Sequence, residues 1–150
     1  MELMEKVKYE DWNLGTEWVF YEVRETFERK KTEKAKMSDY LNNIIPVFTF
    51  KNLIDFLHFW KNTDYSKITP LLIDPHQGII RKIKDTDLKI GSIALFKSGI
   101  SPTWEDKVNA KGGEYGMRFS EDDPSKIAAR WEKIIFSLVG GTFDGLDEVQ

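Results

Sequence analysis

The chain lacks the residues that thiol and zinc chemistry require. Its 150 residues include no cysteine and only two histidines, His58 and His76. The lack of cysteine excludes disulfides and thiolate catalysis. Because zinc sites usually combine cysteine with histidine, we expect neither a metal site nor a cofactor.

Long apolar runs are missing as well. No segment approaches the roughly 20 consecutive apolar residues that cross a bilayer. The first residues also lack the apolar core of a signal peptide. We therefore expect a soluble cytoplasmic protein, with the nucleus as an alternative, and no membrane partner.

There is no excess of positive charge, since 22 lysines and arginines face 25 acidic residues and give a net charge of −3. Proteins that hold long RNA through its phosphates usually carry a basic surface, so an RNA ligand here would be an end or a single base. Aromatic residues make up 13% of the chain, and unstacked bases stack on flat rings. No nucleophile–base pair, metal-spaced carboxylates or glycine-rich phosphate loop occurs, so we expect no enzyme.

The apolar pattern predicts one α+β domain over residues 1–150, with residues 1–11 as a mobile arm. The predicted strands cover residues 17–23, 44–48, 91–96 and 115–119. The first is aromatic and β-branched, which favours burial on both faces. Pro46 in the second indicates an edge, a bulge or a strand end.

A first helix is predicted over residues 50–61, capped by Thr49 and opened by Phe50. Residues 62–89 are predicted to be irregular because they contain prolines and a glycine. The aromatic residues assigned to the core are Trp18, Phe20, Trp60 and Trp131.

A second helix has the clearest signals. Asp122 or Asp123 caps it, and Pro124 follows at a position where helices tolerate proline. Gly140 and Gly141 close it, because glycine accepts the left-handed conformation after a helix end.

One segment resembles a known family. Residues 99–113 contain a Gly-Ile pair, a proline, Trp-Glu-Asp at 104–106, an asparagine and a closing Gly-Gly pair. This pattern closely resembles the signature loop of the translation initiation factor 4E family, whose members bind the mRNA cap. The resemblance runs from about residue 12 to residue 147 and is weakest over residues 62–89.

The resemblance implies a curved, mainly antiparallel sheet with helices on its convex face and the cap site on its concave side. It places the two rings that sandwich 7-methylguanine at Trp104 and Tyr40, the latter ten residues before Phe50. Because N7 methylation makes the base cationic, both rings would add cation–π attraction to stacking. Glu105 would accept two hydrogen bonds from the guanine edge, and Asp106 would cap or order the loop.

The residues that bind the cap phosphates in the family have no counterpart in this chain. Those basic residues follow the family's second helix, whereas no lysine or arginine follows Lys133 here, and the last strands of the family sheet have no counterpart. Glu114 stands where an arginine often follows the Gly-Gly pair, and an acid would repel phosphates. Lys111 and Arg118 are the candidates to compensate. A shortened chain, a divergent short protein and pairing with a second copy all fit these departures.

Partner binding departs too. The family positions that bind scaffold and repressor proteins correspond to Trp12, Leu14 and Leu57. The resemblance therefore implies scaffold initiation factor 4G-like or 4E-binding partners, with an altered choice among them. Three functions are open: a cap-binding module in translation initiation, a cap-binding competitor that represses translation, and a pseudo-module that acts only through protein contacts.

Overall fold

The described part of the molecule is a sheet of three strands with helices packed against it. The computed structural model describes residues 12–27, 41–73, 80–113 and 123–142. The strands are β1 (Asn13–Thr26), β2 (Ile44–Asn52) and β3 (Leu88–Lys97), and the helices are α1 (Leu53–Asn62), the single turn α2 (Thr69–Leu72) and α3 (Pro124–Val139). Short 3-10 turns occupy Asp64–Ser66 and Asn109–Lys111.

The central strand is β1, which pairs antiparallel with β2 on one side and β3 on the other. Val19, Phe20, Glu22 and Val23 are all buried, so both faces of the strand are covered. This confirms the predicted burial on both faces, although the strand extends beyond residues 17–23 at each end. The antiparallel sheet with packed helices confirms the predicted α+β class.

Two irregularities interrupt the pairing of β1. On the β2 side the register steps from Phe20 opposite Phe48 to Tyr21 opposite Pro46, which leaves Val47 as an extra residue. Because β2 lies at the end of the described sheet, Pro46 occupies both an edge strand and a bulge, as its ring and missing N–H favour.

The second irregularity lies on the β3 side, where the register steps from Val23 opposite Ser92 to Arg24 opposite Ile90. Gly91 is the extra residue, and a Cβ built there would lie 2.5 Å from the Cδ of Glu25. The missing side chain therefore lets Glu25 lie across the bulge. Bulges on both sides of one strand increase the local twist of the sheet.

Aromatic rings fill the space between the sheet and the helices. Phe20 on β1 is fully buried, with its ring centroid 5.9 Å from that of Phe50 and 5.3 Å from that of Phe59. The other buried members of this cluster are Phe56, Trp60, Ile135 and Val139, and Trp18 and Trp131 pack against it partly buried. The aromatic residues predicted for the core therefore lie in it or against it.

The predicted start of the first helix was wrong. Phe50 belongs to β2, where it pairs with Trp18, and α1 begins at Leu53. The cap is Asn52, whose Oδ1 accepts from the N–H of Ile54 at 2.8 Å, rather than Thr49. The prediction failed because the apolar residues of β2 face the same core as α1, so the apolar spacing continues across the boundary.

We expect Asn52→Ala to lower the free energy of unfolding by about 1 kcal/mol, because the first turn of α1 loses its capping acceptor. Asn52→Asp keeps an oxygen at the same place and should retain most of the stability. Urea unfolding followed by circular dichroism would measure both. If both variants lost the same free energy of unfolding, Asn52 would not act as a cap.

A polar network crosses the core beside the aromatic cluster. Tyr65 donates its hydroxyl hydrogen to the Glu22 carboxylate, and the Nε of Arg24 donates to the same carboxylate at 3.0 Å. The indole Nε1 of Trp131 on α3 donates to the carbonyl oxygen of Tyr65 at 2.8 Å. Burial, followed by the hydrogen bond to Glu22, raises the pKa of Tyr65 above its ordinary range. The network thus joins β1 to α3 through one turn.

The second helix follows its sequence signals closely. Asp123 caps α3 by accepting from the N–H of Ser125 at 2.9 Å, and Pro124 is the first helical residue. Of the two predicted caps, Asp123 is therefore the one used. The helix ends at Val139 with Gly140 as its C-cap, and Gly141 takes a φ of +65°. This is the left-handed conformation that the glycine pair predicts.

The prediction that residues 62–89 are irregular was wrong in part, because a 3-10 turn (Asp64–Ser66), the helix α2 (Thr69–Leu72) and the start of β3 lie there. Pro70 lies in the first turn of α2, where a helix tolerates proline, so it did not exclude a helix. In the same stretch an isolated bridge pairs Ile73 with Ile80, and a second pairs Lys82 with Lys89 at the start of β3. The predicted strand over residues 115–119 and the arm over residues 1–11 lie outside the described residues.

Candidate functional site

The segment that resembles the family signature forms a loop that leaves the end of β3, and residues 98–113 are called the Trp104 loop below. It starts where Lys97 pairs with Trp18 on the central strand. Ser98 donates its N–H to the carbonyl oxygen of Glu17 at 2.8 Å, which anchors the loop to β1. Gly99 turns the chain away from the sheet with a φ of +86°, a conformation that glycine adopts at little cost.

Asp106 orders the loop from within. One carboxylate oxygen accepts from the N–H of Ser101 and the other from the N–H of Val108, each at 2.9 Å. These two backbone donors hold the pKa of Asp106 below its ordinary value, the Ser101 N–H contributing most. The carboxylate therefore stays ionised at neutral pH and keeps both hydrogen bonds.

Asn109 ties the loop from the opposite side. Its Nδ2 donates to the carbonyl oxygen of Ser101 at 2.7 Å and to that of Thr103 at 2.8 Å. Thr103 is buried, whereas Trp104 next to it is exposed. The sequence pattern did not assign a role to Asn109, and its place three residues after Asp106 was the available signal, since short polar side chains often bond to nearby backbone.

Trp104 stands out from the body of the protein. Its side chain is 60% exposed, whereas Trp60 is 3% exposed. No hydrogen bond or ring contact joins Trp104 to the other described residues. Glu105 is exposed beside it and has no ion pair within the described ranges. The loop thus presents a flat aromatic surface and a carboxylate to solvent at adjacent positions.

The other predicted site residues lie elsewhere. Tyr40 is outside the described residues. Trp12 is 37% exposed, just before β1. Leu14 and Leu57 are partly buried and pack against the core. Trp104 and Glu105 are therefore exposed side by side, whereas these two leucines are partly covered by the core.

Two features are absent from the described ranges. In residues 12–27, 41–73, 80–113 and 123–142, no three acidic or histidine side chains lie close enough to hold a metal ion. Across the same part of the chain, no helix has the length and apolarity needed to span a membrane.

The family model of eukaryotic initiation factor 4E matches residues 13–150. The chain belongs to this family. Its relatives include initiation factor 4E-2 of Solanum lycopersicum, 28% identical over 116 residues that cover 77% of this chain and 43% of that protein. The initiation factor NCBP of Oryza sativa subsp. japonica is 31% identical over 123 residues, which cover 80% of this chain and 44% of that protein. The chain therefore spans less than half the length of these relatives.

Solved structures of initiation factor 4E proteins share the fold. C. elegans eIF4E-3, in complex with the 4E-binding protein Mextli and a cap analog, superposes with a TM-score of 0.57 at 18% identity. Ascaris suum eIF4E-3, in complex with an m2,2,7G cap, superposes with a TM-score of 0.56 at 18% identity. This chain is covered to 89% in both, and those chains to 60% and 59%. The described sheet and helices thus correspond to part of the 4E fold.

Proposed function

We propose that this chain binds the 7-methylguanosine cap of mRNA in translation initiation, as a binding module rather than an enzyme. The observation that supports this most is the Trp104 loop. It carries the family signature and presents an exposed tryptophan next to an exposed carboxylate. A methylated guanine is flat and cationic, so it would stack on Trp104 and gain cation–π attraction that unmethylated guanine lacks.

Tyr40 is proposed as the second ring of the sandwich. The support for Tyr40 is the family pattern, which places this ring ten residues before Phe50, as it places the other ring at Trp104. A base held between two faces gains stacking and cation–π attraction from both rings.

Glu105 is proposed to select the base. An ionised carboxylate accepts two hydrogen bonds at once, and guanine offers the N1–H and N2–H donors side by side. We expect Glu105→Ala to weaken binding of 7-methyl-GTP about tenfold or more, since charge-assisted pairs are among the stronger hydrogen bonds. Calorimetric titration would measure the change.

Glu105→Gln is the matched variant, because the amide keeps the size of the side chain but only one acceptor oxygen. Its affinity should also fall, and its preference for 7-methyl-GTP over 7-methyl-ATP should narrow. An unchanged preference in both variants would remove Glu105 from the site.

The test of the proposed function is a titration of tryptophan fluorescence with 7-methyl-GTP, with GTP as the matched ligand. Stacking on Trp104 should quench the emission in a saturable way for the methylated nucleotide and much less for GTP. A folded sample that responds to neither nucleotide would contradict cap binding. In that case the pseudo-module, which acts only through protein contacts, becomes the better description.

Partners of the 4E-binding type are proposed for the face that carries Trp12, which is 37% exposed. Leu14 and Leu57 are partly buried and pack against the core, so they offer less apolar surface than exposed side chains would. This favours an altered choice between scaffold proteins and repressors. If no scaffold protein of the initiation factor 4G type is recovered in a pull-down that retains cap binding, the chain acts as a competitor that represses translation.

A further inference from the structure

Two side chains of the Trp104 loop, Asp106 and Asn109, bind the backbone of the loop itself. Both peptide groups of Ser101 are used, since its N–H donates to Asp106 and its carbonyl oxygen accepts from Asn109. We call these two side chains the Asp106–Asn109 brace. Because Thr103 also accepts from Asn109, the residues that lead into Trp104 are fixed at two backbone positions.

Packing does not supply this order at Trp104 itself. The tryptophan is 60% exposed and makes no ring contact with the described residues. An exposed loop without internal contacts samples many conformations, and a ligand must then order it at the expense of affinity. The backbone adds further bonds that depend on the same geometry, such as the N–H of Ala110 to the carbonyl oxygen of Asp106 at 2.8 Å.

We propose that Asp106 and Asn109 are positioning residues of the cap site, which hold the Trp104 loop in its binding conformation before the ligand arrives. The inference rests on the proposed cap binding and deepens it. Neither side chain needs to touch the cap, because both are occupied by the backbone of the loop. Affinity for the cap therefore depends on the fraction of molecules in which the brace is formed.

The brace variants are Asp106→Ala, which removes both carboxylate acceptors, and Asn109→Ala, which removes both amide donors. Lys107→Ala is the matched control, because Lys107 lies between the two brace residues, is exposed and has no ion pair within the described residues. We expect each brace variant to bind 7-methyl-GTP about tenfold more weakly, which corresponds to a binding-competent fraction near one tenth. The control should bind as the unaltered chain does.

Two further measurements separate positioning from a general loss of stability. Without ligand, amide hydrogen exchange at Ser101 and Val108 should become about tenfold faster in Asp106→Ala, as expected when one backbone hydrogen bond is lost. The urea midpoint of the whole protein should stay unchanged. Asp106→Asn keeps one acceptor oxygen, so its affinity should fall between those of the unaltered chain and Asp106→Ala.

Each other outcome overturns the inference in a distinct way. Faster exchange with unchanged affinity would show that the brace orders the loop without serving binding. Unchanged exchange would show that the brace does not order the loop, and a lower urea midpoint would make the effect a general one. If the unaltered chain fails to bind 7-methyl-GTP while its Ser101 amide is protected, the proposed function has failed and the brace is structural only.

Discussion

Trp104→Ala is expected to weaken binding of 7-methyl-GTP about 100-fold, because stacking contributes ~1–3 kcal/mol per base and cation–π attraction adds to it. The same substitution should weaken binding of GTP less, since unmethylated guanine gains no cation–π term. Calorimetry is the suitable measurement, because the variant loses the fluorophore that reports the contact. Trp104→Phe retains a smaller ring, so its affinity for 7-methyl-GTP should lie between those of the unaltered chain and Trp104→Ala.

Val108→Ala is the matched control for Trp104→Ala. Val108 is 62% exposed and lies on the same loop, so its side chain resembles Trp104 in exposure but offers no aromatic surface. Its affinity should stay within about twofold of the unaltered chain, because surface substitutions rarely change free energies by more than ~0.5 kcal/mol. Equal affinity in Trp104→Ala and Val108→Ala would remove the tryptophan from the site.

Phe20→Ala is expected to have the largest effect on stability, about 3–5 kcal/mol, because it opens a cavity at the centre of the aromatic cluster. Phe20 is fully buried, and its ring lies within 6.5 Å of those of Phe50, Phe59, Trp60 and Tyr65, centroid to centroid. A domain of this size is stable by only ~5–15 kcal/mol. Urea unfolding followed by circular dichroism should show a large fall in the midpoint.

Phe136→Ala provides the comparison for Phe20→Ala. Phe136 contacts Phe56 and Trp60 edge-on but is 39% exposed, so water already reaches part of its ring. Phe136→Ala should lower the free energy of unfolding clearly less than Phe20→Ala does, since the space left behind opens to solvent. If the two losses were equal, the cluster would not be centred on Phe20.

Local signals predicted the ends of elements where one residue has a strong conformational preference. Asp123, Pro124 and Gly141 each act within one turn of α3, so their effects do not depend on distant residues. Pro46 likewise marks the bulge in β2. The boundary between β2 and α1 was not predictable in this way, because Phe50 serves the same core whether it belongs to a strand or a helix.

Strand pairing and the contacts within the loop depend on residues that the apolar pattern does not relate to one another. The pairing of β1 with β3 joins Trp18 to Lys97 across nearly 80 positions, and apolar spacing carries no information about that choice. At the site, the motif located Trp104 and Glu105. The role of Asn109 became visible only with its distances to Ser101 and Thr103, since an asparagine in a polar loop is compatible with many contacts.

The buried carboxylate of Glu22 helps to determine where α3 packs on the sheet. Apolar contact is non-directional, so the cluster around Phe20 fixes the position of α3 less strictly than hydrogen bonds do. Glu22 is only 7% exposed and meets its donors from Tyr65 and Arg24 in one arrangement. Since Trp131 bonds to the same turn, a helix shifted by one turn would pull Tyr65 away and leave Arg24, on β1 itself, as the remaining donor to the buried carboxylate. The hydrogen bonds around Glu22 and Tyr65 therefore favour one position of α3 along the sheet.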